Sequence, residues 1–206
     1  MTQREAQAAA TKDRLVGIAR RLFTEHGYDG TSTSMVLAEA GLARGALYHH
    51  FPDKRALLRA AFEDVERDLV EGVVAESYAD PRRPLWERLQ IGIRAFLAGA
   101  SAPDVQRISL TDAPAVLGRA EWRALDEGYG LGQLARVLRQ GMAEGLFPAQ
   151  PVEPLARLLI AVLYEGASEI ARSPDRERAL EEMSATIIDI FDRLRAHPAT
   201  SDASTA

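Results

Sequence analysis

Thr31 to Lys54 reads TSTSMVLAEAGLARGALYHHFPDK. Thr31, Ser32, Thr33 and Ser34 open it with hydroxyls, side chains that cap helices because their oxygens accept from free backbone N–H groups of the first turn. A short helix is predicted from Met35 to Ala40, ended by Gly41, and a second from about Arg44 to Phe51, stopped by Pro52. Val36, Ala40, Leu42 and Leu47 supply the apolar contacts that set the angle between them. Two short helices about a glycine turn, the second carrying polar and basic groups, have the layout of a helix-turn-helix. In that layout the first helix braces against the DNA backbone and the second enters the major groove by its N-terminal end.

The flanks are helical too. Upstream, Leu15, Ile18, Ala19, Leu22 and Phe23 form one apolar stripe closed by His26-Gly27. Downstream, Asp53 is the expected N-cap of a long helix with the stripe Leu58, Ala61, Phe62, Val65, Leu69 and Val73. After Asp80-Pro81 a fifth helix carries Leu85, Trp86, Leu89, Ile93, Phe96 and Leu97. A short helix breaks near Asp112-Ala113-Pro114, one longer helix is expected over roughly 119–144, and two strong helices follow at 152–171 and 176–196. No sustained period-two alternation signals a strand. The predicted fold is all-α: an N-terminal three-helix helix-turn-helix domain and a larger C-terminal helical domain for ligand binding and dimerisation. The expected divisions are a disordered arm (1–10), a DNA-binding domain (11–57), a ligand-binding and dimerisation domain (58–196) and a disordered tail (197–206).

Composition narrows the function classes. With no cysteine, disulfides, thiolate metal sites and cysteine nucleophiles are excluded. The histidines (His26, His49, His50 and His197) form no metal-ligand spacing, so no metal and no cofactor are expected. No signal-peptide core and no membrane-length apolar run are present, and a cytoplasmic protein is expected. The net charge is −5, but residues 1–60 hold nine Lys/Arg against six Asp/Glu and the remainder sixteen against twenty-four. The basic excess lies at the helix-turn-helix end, a modest hint of a nucleic-acid-binding end.

The residues Gly27-Tyr28, Thr31-Ser32, Val36, Ala40-Gly41-Leu42, Gly45, Leu47-Tyr48, Phe51 and Lys54-Arg55-Ala56-Leu57-Leu58 resemble the N-terminal domain of the TetR family of regulators over about residues 12–60. A weaker similarity continues through LTDAPAVLG (110–118), Trp122 and GYGLG (128–132). Ala43 departs from the family's usual capping serine or threonine, and Leu37 from its usual alanine. Arg44, with a guanidinium fork suited to guanine, opens the recognition helix. Gly45 and Ala46 are small enough for close backbone approach, and Thr33 and Ser34 sit where amides and hydroxyls suit phosphate. The resemblance adds Tyr48 and His49 at phosphate or base edges and Lys54 on phosphate. It implies a homodimer on a palindromic double-stranded DNA operator, acting as a ligand-responsive repressor.

The C-terminal half carries two further expectations. Leu159 and Leu163, with Leu180, Met183, Ile187 and Phe191 on the last helix, form apolar seams that suit a four-helix interface between subunits, where the resemblance also places dimerisation. Phe62, Trp86, Leu89, Phe96, Ile108, Trp122 and Tyr129, with Asp112 nearby, suit a pocket for a small apolar or aromatic effector, and equally a packed core. GYGLG lacks the strand and helix start of a phosphate cradle, and Ser168 lacks nucleophile-elbow glycines. No catalytic constellation is visible, and no enzymatic activity is expected. An all-helical enzyme with an unseen site, or a dimeric protein-binding adaptor, is the alternative; salt-sensitive duplex binding separates them.

Overall fold

The computed structural model describes residues 2–196. The expected disordered tail at 197–206, with His197, lies outside the described residues.

Helix α1 (Gln3–Gly30) begins on a capping box: Glu5 N donates to Thr2 Oγ1 (3.3 Å), and Thr2 N donates to the Glu5 carboxylate (2.7 Å). Residues 3–10 are therefore helical, which corrects the expected disordered arm. The box satisfies the free donors, and the alanine-rich run that follows has high intrinsic helix propensity. The stripe closes where expected, at Gly27 (φ 70°), and one further turn runs to Gly30.

Helices α2 (Thr33–Ala40) and α3 (Arg44–His50) form the predicted pair. Ser32 is the N-cap of α2 and accepts from Met35 N at 3.2 Å, so α2 starts two residues before the predicted Met35. Gly41 takes the left-handed conformation (φ 63°) between the helices, a position that strains any residue with a Cβ. Ala43 gives α3 no side-chain cap. Val36, Leu37, Ala40 and Leu47 are buried.

Asp53 caps α4 (Lys54–Ser77) by accepting from Ala56 N at 2.7 Å. Helix α5 (Leu85–Ala100) follows, then a π-helical segment (Val105–Asp112) and α6 (Ala113–Val116). The single helix expected over 119–144 is two, α7 (Arg119–Asp126) and α8 (Gly130–Ala143). GYGLG makes the break possible: a Cβ at Gly132 would lie 2.2 Å from the Glu127 carbonyl oxygen. Helices α9 (Val152–Arg172) and α10 (Arg176–Arg193) follow.

Helix α4 packs against both α1 and α5, so one rod joins the helix-turn-helix end to the C-terminal bundle of α5, α8, α9 and α10. Phe23, Phe62, Leu97, Ile108 and Phe191 are fully enclosed along this axis. Among the described residues there is no strand, and no helix is long and apolar enough to cross a membrane.

Candidate nucleic-acid interface and effector cavity

At the basic end, apolar contacts hold α3 against α2 and leave a polar face outward. Arg44, Gly45 and His49 are exposed, as is Ser34 on α2, while Thr33 and Ala46 are partly covered. Tyr48 keeps 40% of its surface exposed, a large aromatic residue held in water. Arg44 lies 5.4 Å from the Tyr48 ring centroid, and hydrogen bonding with Thr33, then with Arg44, lowers the Tyr48 hydroxyl's pKa. A guanidinium, a phenol, an imidazole and two hydroxyls thus share one surface. Phe51 is buried, as a core residue should be.

Lys54 is engaged otherwise than expected. Its ammonium donates to the carbonyls of Tyr28 (2.9 Å) and Thr31 (3.1 Å) and lies 4.0 Å from the Tyr28 ring centroid. It staples the start of α4 to the end of α1, which leaves one donor for a phosphate.

Polar contacts tie this end to the segment from Asp104 to Glu121. Asp112 accepts from Tyr28 N (2.8 Å) and Arg107 Nε (3.2 Å). Arg20 pairs with Asp104, Asp64 and Asp68. Arg55 on α4 donates to the Leu117 carbonyl and to Glu121.

The bundle holds a cavity of about 70 Å³ between α4, α5, α8 and α9. Leu89 and Phe96 line it, with Val73, Ile93, Leu134 and Leu163. The other six expected pocket residues do not. Phe62 and Ile108 are fully buried core, and Tyr129 stacks edge-on against Phe62, its centroid 6.5 Å away. Trp86 faces α10 under Arg195. Asp112 is spent on the junction, and Trp122 packs half-buried against the core. Helical periodicity picks out an inward face without saying which inward residues border empty space.

Behind the cavity's inner end lies an acidic cluster. Tyr164 Oη donates to Asp126 Oδ1 at 3.0 Å and lies 3.5 Å from Glu66 Oε2. Among the described residues, Glu66 Oε1 and the Ser109 hydroxyl are buried without a hydrogen-bond partner. Burial, then the nearby Asp126 carboxylate, pushes Glu66 up to about 8; burial raises Asp126 to about 6. Gly130 separates cluster from cavity, since a Cβ there would lie 3.2 Å from Tyr164 Oη.

The expected dimer residues are mostly internal. Leu159, Leu163, Ile187 and Phe191 are buried within the protomer, and Leu180 and Met183 are half-buried. Gly166 allows this close packing, because a Cβ there would meet Ile187 at 2.8 Å and Met183 at 3.0 Å. The apolar side chains left outside on α9 and α10 are Leu158 (69% exposed), Val162 and Ile190. The buried edge of that seam holds α10 onto α9.

Sequence reasoning missed Arg88, Gln133, Glu66 and Tyr164. A signal existed for Glu66, which stands four residues after Phe62 and three before Leu69, on the apolar stripe of α4.

Residues 15–61 match the family model for bacterial regulatory proteins of the tetR family, and residues 86–194 match a tetracyclin repressor-like C-terminal domain. An HTH-type transcriptional repressor of Mycobacterium tuberculosis is 44% identical over 91% of this chain and 94% of its own length. The HTH-type transcriptional repressor AcnR of Corynebacterium glutamicum is 34% identical over 74% of this chain and 84% of its own. A solved structure of a TetR-family transcriptional regulator from Pectobacterium atrosepticum is 33% identical, with a TM-score of 0.76 over 96% of this chain and all of that one.

Proposed function

The chain belongs to the TetR family of transcriptional regulators, and from that premise we propose that it is a cytoplasmic, dimeric repressor without enzymatic activity that releases its operator on binding a small molecule. The observation that carries the DNA reading is the outward face of α3. Arg44, Tyr48 and His49 are held in solvent by a helix whose inner residues are packed. Arg44 reads guanine by its paired N–H donors, Gly45 and Ala46 allow close approach, and Thr33, Ser34, Tyr48 and His49 hold phosphate or base edges. Lys54 gives its remaining donor to phosphate.

Two copies join through α9 and α10 on the strip of Leu158, Val162 and Ile190, with half-buried Leu180 and Met183 at its edge. The two recognition helices then meet successive major grooves of a palindrome, ~34–36 Å apart or modestly more. An effector in the α4–α5–α8–α9 cavity displaces α4, and with it the groove spacing. It can do so only by binding the displaced state better than the DNA-competent one.

Selection of protein-bound duplexes from a random pool tests the reading. A palindromic consensus whose binding weakens steeply with salt is the expected result. Sequence-independent retention, or none, would overturn it.

A further inference from the structure

The cavity's polar groups indicate the chemical class of its ligand. Arg88, on α5, is half-buried in the cavity wall. Its Nε is buried with no hydrogen-bond acceptor, and the guanidinium takes part in no ion pair among the described residues. Arg20, Arg55, Arg107, Arg157 and Arg172 each hold a carboxylate. Arg88 instead stacks on Tyr78, with its Cζ 4.5 Å from the ring centroid, and so is held in place without being neutralised. A half-buried cation whose one buried donor is unused is better accommodated when an anion meets it.

We propose that the cavity takes an apolar monocarboxylate, its carboxylate gripped by Arg88 and its hydrocarbon lying among Leu89, Ile93, Phe96 and Leu134. The inference rests on the reading of this cavity as the effector site. Among the described residues Arg88 is the one cation in the lining, so a single negative charge balances it, whereas a dianionic phosphate monoester leaves a charge over. The planar guanidinium fork matches a carboxylate in two parallel hydrogen bonds. At ~10–15 Å³ for each water-sized group, the volume accommodates roughly five to seven methylene-sized groups. The inner end suits a hydrocarbon tail. Phe96 and Gly130 close it, and burial keeps Glu66 behind them protonated near neutral pH.

The test is calorimetric titration of the full chain with octanoate, octanol and octylamine, which share a tail and differ in the head. Octanoate is expected to bind roughly tenfold or more tighter than octanol, as a charge-assisted pair requires. Arg88→Met should bind octanol as the wild type does and lose the preference for octanoate. Arg88→Lys, which keeps the charge and loses the fork, should fall between them and serves where Arg88→Met does not fold. Equal binding of octanoate and octanol, tightest binding of octylamine, or an undiminished preference in the Arg88 variants overturns the carboxylate assignment and leaves the cavity as an effector site. No binding of any of the three overturns the cavity reading and the anchor with it.

Discussion

Glu66→Gln should make the protein's stability far less sensitive to pH. Glu66 sits mid-helix on α4 at 1% exposure, with one carboxylate oxygen unpartnered and the other 3.5 Å from Tyr164 Oη. The Tyr164 proton goes to Asp126, so Glu66 is best accommodated carrying its own proton. Burial, then Asp126, raises it from 4.5 to about 8. A carboxyl raised on folding makes the native state bind more protons than the unfolded chain. Its stabilising contribution is full below the unfolded value and is lost as pH rises through the folded one. At about 1.36 kcal/mol per unit, going from about pH 5 to about pH 8 should cost the wild type roughly 4 kcal/mol through Glu66. Asp126, raised by burial to about 6, adds roughly 1 kcal/mol in the lower part of that window. Total domain stability is only about 5–15 kcal/mol, so the loss is readily measured. The glutamine amide is neutral throughout, so the variant should lose only the Asp126 part. Urea unfolding by far-UV circular dichroism at fixed protein concentration, across this pH range, measures both proteins. Parallel pH profiles would refute the reasoning, because they would mean that Glu66 ionises in the folded protein as freely as in the unfolded chain.

Arg44→Ala should cost about 1–3 kcal/mol of operator affinity and relax preference at one base pair per half-site in a binding selection; equal weakening on random DNA would reassign Arg44 to phosphate. Lys54→Ala should lower unfolding stability by roughly 1–2 kcal/mol, through the lost charged hydrogen bonds to Tyr28 and Thr31, and should also reduce the salt slope of DNA binding by about 1 per protomer, through the lost phosphate contact. Denaturant melts and mobility shifts at several salt concentrations separate that outcome from a pure phosphate contact. Ile187→Asp should unfold the chain, since it puts an unpaired charge at a 1%-exposed position. Ile190→Asp should leave a folded monomer by light scattering and circular dichroism.

The helix-turn-helix end was largely legible in the sequence because local rules decide it. Ser32, Gly41 and Asp53 act at caps and turns, where one side chain or one backbone conformation selects the structure. The helix at 3–10 escapes a reading by periodicity because a polar, alanine-rich run without an apolar stripe resembles a disordered tail, although Thr2 and Glu5 form a capping box. The C-terminal half depended on partners distant in sequence. Ile187 and Leu159 belong to apolar faces, and nothing local distinguishes a face turned to its own protomer from one turned to a second copy. Gly166 marks the difference: a missing Cβ on α9 lets α10 settle closely enough to enclose Ile187. The cavity was harder still, because it is defined by what four helices fail to fill.

In the proposed mechanism, the junction is what lets so small a cavity govern DNA binding. Helix α4 cannot move alone, because its start is stapled to α1 by Lys54 and, through Arg20, its Asp64 and Asp68 share a cation with Asp104. Beside it, the Tyr28 amide and the Arg107 guanidinium meet on one Asp112 carboxylate, so the end of α1 is fixed to the π-helical segment. The helix-turn-helix end is therefore held at several directional contacts, which break or hold and do not stretch far. Val70, Val73 and Ser77 place the far end of α4 against the cavity, where in the proposed mechanism the ligand presses on α4 about four turns from Lys54 or further. A displacement there is passed along a packed rod to a set of short polar contacts at the other end. Such an arrangement favours two discrete states over a continuous bend.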